Sequence, residues 1–297
     1  MTITSRPYRD DHDYALMSQL VREIYRIHGP PVYCTAGDLD WWRSDEPAPD
    51  MLAAQLWFDE QQLVGFAWPL DEQIDLISHP AAAHLEAEML DWAEEGRRVA
   101  LGTQKGTARA WAFLSDVARS QLLLSRGYIP QMTALQLLTR PLIEAPAMPT
   151  IAPGYCIRAV RLPEELLARA ELHQNAFAPS RMTTRRYEVV MRMPTYDMSL
   201  DIVAEAPDGS LAAFCTVWWD AENRMGVFEP VGCHSEHRRR GLAAAVMIEG
   251  IRRLVALGAT VAHVTTGRGN NAAQALYASL GFHLLDENVA YDRMLNV

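Results

Sequence analysis

Residues 238–246 read Arg-Arg-Arg-Gly-Leu-Ala-Ala-Ala-Val. Three arginines run into one glycine and then into an apolar helix, in a chain of 297 residues with formal net charge −10. A helix start exposes unpaired backbone N–H groups and about half a positive charge. It is an anion site before any side chain is counted. Gly241, with the small Ala243 and Ala244, leaves the backbone open to a phosphate, and Arg238, Arg239 and Arg240 surround that opening with charge. Cations at this end oppose the helix dipole, so the cluster costs stability until an anion binds. A bound anion explains the stretch better than folding does.

Working outward, Ala244, Met247, Ile248, Ile251, Leu254 and Val255 recur at helical spacing, which predicts a helix from about 241 to 257. Glu249 and Arg253 form an i,i+4 pair on its other face, and Gly258 reads as its stop. "TVAHVTT" reads as a buried strand, and "NNAAQALYASLG" as a helix with an asparagine N-cap ended by Gly281. "FHLL" and "VAYDRML" read as two closing strands. Upstream, "YCIRAVRL" reads as a strand and "PEELLARAELHQNAF" as a helix. The following segment gives strands broken by turns such as "PDGS". The order is α/β.

"EAPAMPTIAPG", residues 144–154, carries three prolines and reads as a linker. The halves on either side rhyme. Arg6 matches Arg158, Phe66 matches Phe214 and Gly127 matches Gly281, each pair about 150 residues apart and in the same order. We therefore divide the chain into two copies, 1–145 and 146–297. Opposite the arginine loop the first copy has Ala82, Ala83, His84 and Leu85. It lacks both the cations and the glycine. Leu123 or Leu124 stands where the second copy has Tyr277. The first copy reads as a silent partner that walls the acceptor pocket, and one phosphate-bearing ligand per chain is expected.

Composition narrows the function. The acidic balance argues against nucleic acid, which needs a basic face. No apolar run reaches the roughly 18 residues of a membrane span, and the N-terminus has no signal-peptide pattern. Four scattered cysteines without a CxxC suggest a reduced, cytoplasmic protein. Cys233-His234 and His237 are soft ligands without a second pair, so no metal is expected.

The stretch Arg238–Ala243 resembles the R/Q-x-x-G-x-G/A signature of the GCN5-related N-acetyltransferase (GNAT) family, and the segment from Asn270 through Tyr277 to Phe282 is similar to its N-x-x-A-x-x-L-Y-x-x-x-G-F helix. One departure is Ala243, where a second glycine is commoner. The resemblance covers residues 155–297 well and the first half faintly. It points to the tandem members of the family that include mycothiol synthase-like proteins. It implies two GNAT-like domains, each a mixed, mostly antiparallel sheet flanked by helices. It also implies acetyl-CoA as co-substrate and a small-molecule amine as acceptor, with monomer and homodimer both open. Residues 238–244 (with Leu242 among them), Asn270 and Ala273 would then hold the cofactor. Val231, Gly232 and Cys233 would carry its pantetheine arm on a splayed strand. Tyr277 would protonate the leaving thiolate. Glu229, just upstream, stands as a general base. Trp218-Trp219, Trp41-Trp42 and Arg181–Tyr187 are pocket-wall candidates, and His263 reads as a core residue.

Two rivals come from other classes. A non-catalytic acyl-CoA sensor would keep the loop and dispense with Tyr277 and Glu229. A dinucleotide-binding oxidoreductase would use Gly267-x-Gly269-x-x-Ala272 and Asp286, but it leaves the arginines unexplained and lacks the rest of a doubly wound sheet.

Overall fold

The chain was analysed as a computed structural model, which describes residues 3–45 and 52–295. The outermost ends of the two copies, residues 1–2 and 296–297, lie outside the described residues. The first copy runs β1 (Ile3–Pro7), α1 (Asp11–His28), α2 (Ala36–Arg43), β2 (Gln55–Asp59), β3 (Gln62–Leu70), β4 (Gln73–Ser78), α3 (Glu86–Leu101), β5 (Gly106–Phe113), α4 (Val117–Ser125) and β6 (Ile129–Pro141). The second runs β7 (Cys156–Ala159), α5 (Leu166–Ala176), α6 (Thr184–Val190), β8 (Asp201–Glu205), β9 (Leu211–Asp220), β10 (Met225–Cys233), α7 (Leu242–Ala256), β11 (Val261–Gly267), α8 (Asn271–Ser279) and β12 (His283–Leu295). Helix-period and strand-period segments fall where the apolar spacing puts them. "FHLL" and "VAYDRML", expected as two strands, are one strand, β12.

The copies repeat in detail. Arg6 pairs with Asp13 at 2.6 Å, and Arg158 pairs with Glu165 at 2.5 Å, at matching places between first strand and first helix. Phe66 and Phe214 are both fully buried in their central strands. Gly127 and Gly281 both hold the left-handed conformation that ends the last helix.

All strands join one sheet, in the order β1-β2-β3-β4-β5-β12-β6-β11-β10-β9-β8-β7. Every pairing is antiparallel except β4 with β5 and β10 with β11. The halves exchange their last strands. β6 of the first copy pairs with β11 of the second, and β12 of the second pairs with β5 of the first. The two exchanged strands also pair with each other, from His283↔Thr139 onward. The 145/146 division thus follows the chain, and one strand from each side crosses it.

Helix α7 packs on β8, β9 and β10 through the predicted face. Met247, Ile251 and Leu254 are fully buried. Burial of each such side chain contributes about 1.5–3 kcal/mol. Gly250 lies on the same side because a Cβ there would meet the Phe228 ring at 2.7 Å. The Glu249–Arg253 pair forms on the outer face at 2.8 Å. Among the described residues no helix is long and apolar enough to cross a membrane.

Candidate functional site

The site begins where two parallel strands part. β10 pairs with β11 over Met225–Phe228 and then stops. Against β9 its register slips between Phe228 and Val231, a bulge that contains Glu229 and Pro230. Proline has no N–H to give, so regular pairing ends there. Val231, Gly232 and Cys233 stay paired with Cys215, Phe214 and Ala213 of β9. On their other edge no pairing with β11 continues past Phe228↔Val264, although β11 itself runs on to Gly267 against β6. Because of the bulge, Glu229 and Val231 need not share a face as residues two apart do in a regular strand.

Past Cys233 the chain leads to the mouth of α7. Gly241 caps that helix at φ 76, where glycine is at ease, and no side chain caps it. A Cβ on Gly241 would meet nothing within 4 Å, so the ground before the helix is open. Gly232 is different: a Cβ there would strike the Phe214 ring at 2.5 Å, which makes it a packing glycine. The arginines are held loosely. Arg238 Nε donates to the Cys233 carbonyl at 3.4 Å, and Arg240 Nη1 donates to the Tyr155 hydroxyl at 2.9 Å. Among the described residues none of the three pairs with a carboxylate, so their charge is uncommitted. Arg239 itself has a positive φ.

Helix α8 closes the same end. The Asn270 side chain accepts the Ala273 N–H at 3.1 Å and fixes the helix start. Tyr277 is buried in the second-half core, and its hydroxyl has no hydrogen-bond partner among the described residues. Burial, with the charge of Glu229 adding to it, pushes that hydroxyl up to about 12, so it stays a proton donor at neutral pH. Cys233 is also pushed up by burial, which makes it a poor nucleophile.

Glu229 does not act alone. Its carboxyl hydrogen-bonds that of Asp38, from α2 of the other half. Asp38 completes a capping box, taking the Thr35 N–H at 2.7 Å, and its remaining capacity points at Glu229. Helix α2 reaches this place because Gly37 lies directly against Trp218, whose indole donates to the Glu229 carbonyl at 2.6 Å. Thr195 anchors the same helix through Asp40 at 2.5 Å. Burial first, and then the Asp38 charge, lifts Glu229 well above the usual carboxylate range. Burial raises Asp38 as well, so each acid disfavours the ionised form of the other.

Both acids line a cavity of about 320 Å3 between the halves. Its walls include Trp42, Trp68, Trp111, Asp75, Arg181 and His263. Trp42 and Arg181 fulfil the expectation of wall residues. Trp41 instead stacks near Trp218, with ring centroids 6.4 Å apart, and neither lines the cavity. His263 is a core residue only in part. Its Nε2 meets the Tyr25 hydroxyl at 2.8 Å, while Nδ1 is buried without a partner. Sequence reading missed Asp38 and Asp75. Neither stands in a motif that points beyond its own element.

In the first half the matching ground is filled. Arg119 of α4 sits at the place of Ala273, and its guanidinium makes two hydrogen bonds to Glu86, at 2.5 and 2.9 Å. Glu86 occupies the first turn of α3. Tyr33 stacks 3.7 Å from Arg119. Leu123, seventh in α4 as Tyr277 is seventh in α8, is fully buried.

Residues 169–282 match the model of the acetyltransferase (GNAT) family. The mycothiol acetyltransferase of Kineococcus radiotolerans is 32% identical over 149 residues, covering 49% of this chain and 48% of that protein. The one from Thermobispora bispora is 27% identical over 259 residues, 80% of this chain and 82% of that one. The chain thus aligns with about half the length of the first relative and most of the second. Among solved structures, a GCN5-related N-acetyltransferase from Sphaerobacter thermophilus superposes with TM-score 0.71 at 18% identity, covering 99% of this chain and 98% of that one. A tandem GNAT protein from the clavulanic acid biosynthesis pathway gives TM-score 0.71 at 17% identity, with the same coverage. Those likenesses show the fold, two GNAT units in one chain.

Proposed function

Because residues 169–282 match the model of the acetyltransferase (GNAT) family, we propose that the protein moves an acetyl group from acetyl-CoA to an amine of a small molecule held between its halves. The observation that carries this reading is the parting of β10 from β11 after Phe228, followed by the uncapped mouth of α7 with three arginines that pair with no carboxylate among the described residues. The diphosphate would lie on the N–H groups of residues 241–244 with Arg238 and Arg240 beside it. The pantetheine arm would follow the free edge of Val231–Cys233. The amine attacks the thioester carbonyl, its nitrogen loses a proton to the Glu229–Asp38 pair, and the departing sulfur takes one from Tyr277. The carboxyl pair, Tyr277 and the uncommitted arginines favour an enzyme over a sensor. The test is thiol release from acetyl-CoA across a panel of amines that includes the acceptor of the mycothiol acetyltransferases. No release above hydrolysis with any amine would overturn the proposal.

The paired acids give a pH prediction. Asp38's charge raises Glu229, so removing that charge lowers Glu229 again. Asp38→Asn should move the acidic limb of the kcat/KM profile to lower pH, because the base is freed at lower pH. An unmoved limb would mean that Asp38 does not tune the base.

The filled first half gives a stoichiometry. Arg119 and Glu86 occupy its ground as an ion pair, and Glu88 in the same first turn adds a negative charge that disfavours a diphosphate. Calorimetric titration should find one CoA per chain. Two equivalent sites would show that the first copy is not silent. We keep residues 1–145 as that degenerate copy and 146–297 as the catalytic one.

A further inference from the structure

The cavity holds more acids than one reacting amine requires. Four carboxyls line it: Asp38, Asp45, Asp75 and Glu229. Asp45 is answered by Arg186 and, at 3.9 Å, by Arg181. Arg119 also faces the cavity, but its charge is taken by Glu86. Burial and mutual repulsion disfavour charging both Asp38 and Glu229 at once. Asp75 makes no hydrogen bond or ion pair among the described residues; burial pushes it up to about 7 against the opposing charge of Arg119, so a cation beside it would favour its ionised form.

Its position is not arbitrary. β4 parts from β5 after the single pair Gln73↔Arg109, as β10 parts from β11 after Phe228. Asp75 lies just past the first parting and Glu229 just past the second. In each half one acid therefore stands at the fork of the sheet, and both forks open on one cavity. Trp68 is the direct cross-strand partner of Asp75, so ring and carboxylate share a face. That is a pairing suited to an ammonium group. Two buried polar atoms at the cavity also lack partners. One is Nδ1 of His263, a residue only 3% exposed, and the other is Oδ1 of Asn288.

We propose that the acceptor carries a second positively charged nitrogen, held by Asp75 and Trp68 at the first-half end while its reacting amine lies at Glu229. This rests on the acetyltransfer reading above. Five strand steps separate β4 from β10, about 24 Å on a flat sheet, and the curl of the sheet brings them onto one cavity at less than that. The acceptor is thus an extended diamine or polyamine. The first copy, having lost its cofactor ground, keeps its fork acid as an anchor.

The experiment titrates CoA-saturated, full-length protein with straight-chain diamines of increasing length, ending with spermidine and spermine. Each chain length is run beside its monoamine and its amino alcohol. One or more diamines should bind at least tenfold tighter than both controls, and Asp75→Asn should erase that margin. A wild-type protein with no margin at any length would overturn the inference, even if the variant failed to fold. So would an amino alcohol equal to the diamine, or a folded Asp75→Asn protein that keeps the margin. Thiol release is followed in the same samples. Tight diamine binding without release leaves the anchor standing and removes the acetyltransferase. Release to monoamines with no diamine margin does the reverse.

Discussion

Gly241→Glu should weaken CoA binding by roughly 100-fold or more, about 3 kcal/mol. The carboxylate would stand in the open ground before α7, where a Cβ meets nothing within 4 Å, and face the diphosphate with a like charge. Losing even two charge-assisted hydrogen bonds accounts for that magnitude. The fold should survive. A side chain at φ 76 costs roughly 1–2 kcal/mol, and a carboxylate at a helix start returns a few tenths of that. In a chain of this size the melting temperature should drop by only a few degrees. Gly241→Ala is the control, since it carries the same backbone strain without charge or bulk and should keep most of the affinity. Unchanged CoA affinity in folded Gly241→Glu protein would remove the loop from the site.

Tyr277→Phe should slow turnover by roughly 10²–10⁴-fold, the range for a positioned acid. CoA affinity should hardly move, because the ring stays in its core and the hydroxyl has no partner to abandon. Glu229→Gln should cost a similar factor and abolish the acidic limb that Asp38→Asn only shifts. The two losses differ in kind. With Tyr277→Phe, an acceptor–thioester pair whose leaving thiol is more acidic should recover much of the rate, since a better leaving group needs less protonation. With Glu229→Gln it should not. Equal recovery in both variants would mean that the roles are assigned to the wrong groups.

The arginine loop could be read from the sequence because its chemistry is local. A glycine forced to positive φ and three cations at a helix mouth need no tertiary contact to be understood. Helix α8 was legible for the same reason, through its Asn270 cap and Gly281 stop. Glu229 stood out as an acid inside an apolar strand. Asp38 did not, since Thr35 and Asp38 already make a complete capping box and leave nothing to explain. Asp75 is one polar residue in an alternating strand, and only the fork beside it gives it meaning. The strand exchange was hidden by the duplication itself. β6 and β12 descend from the same pattern, so either fits either slot, and pattern alone cannot choose between them. The break between "FHLL" and "VAYDRML" misled because Asp286-Glu287-Asn288 looks like a turn. In the structure it pairs in regular register with β6, between two register shifts of one continuous strand, with Glu287 paired to Arg268.

That exchange sets the order in which the protein can be built. β12 comes after the other described strands in chain order, yet it lies at the middle of the sheet with β5 on one side and β6 on the other. The first half cannot close early on its own residues. β5 waits for β12, and the contacts they make span most of the chain, from Phe113↔Asn288 to Gly106↔Leu295. Such distant pairings carry a large loop-closure entropy and fold slowly. Folding therefore leaves an edge of β5 and an edge of β6 open until β12 is in place. The half before the linker is thereby tied to the half after it, and the two form one folding unit, not two domains in turn.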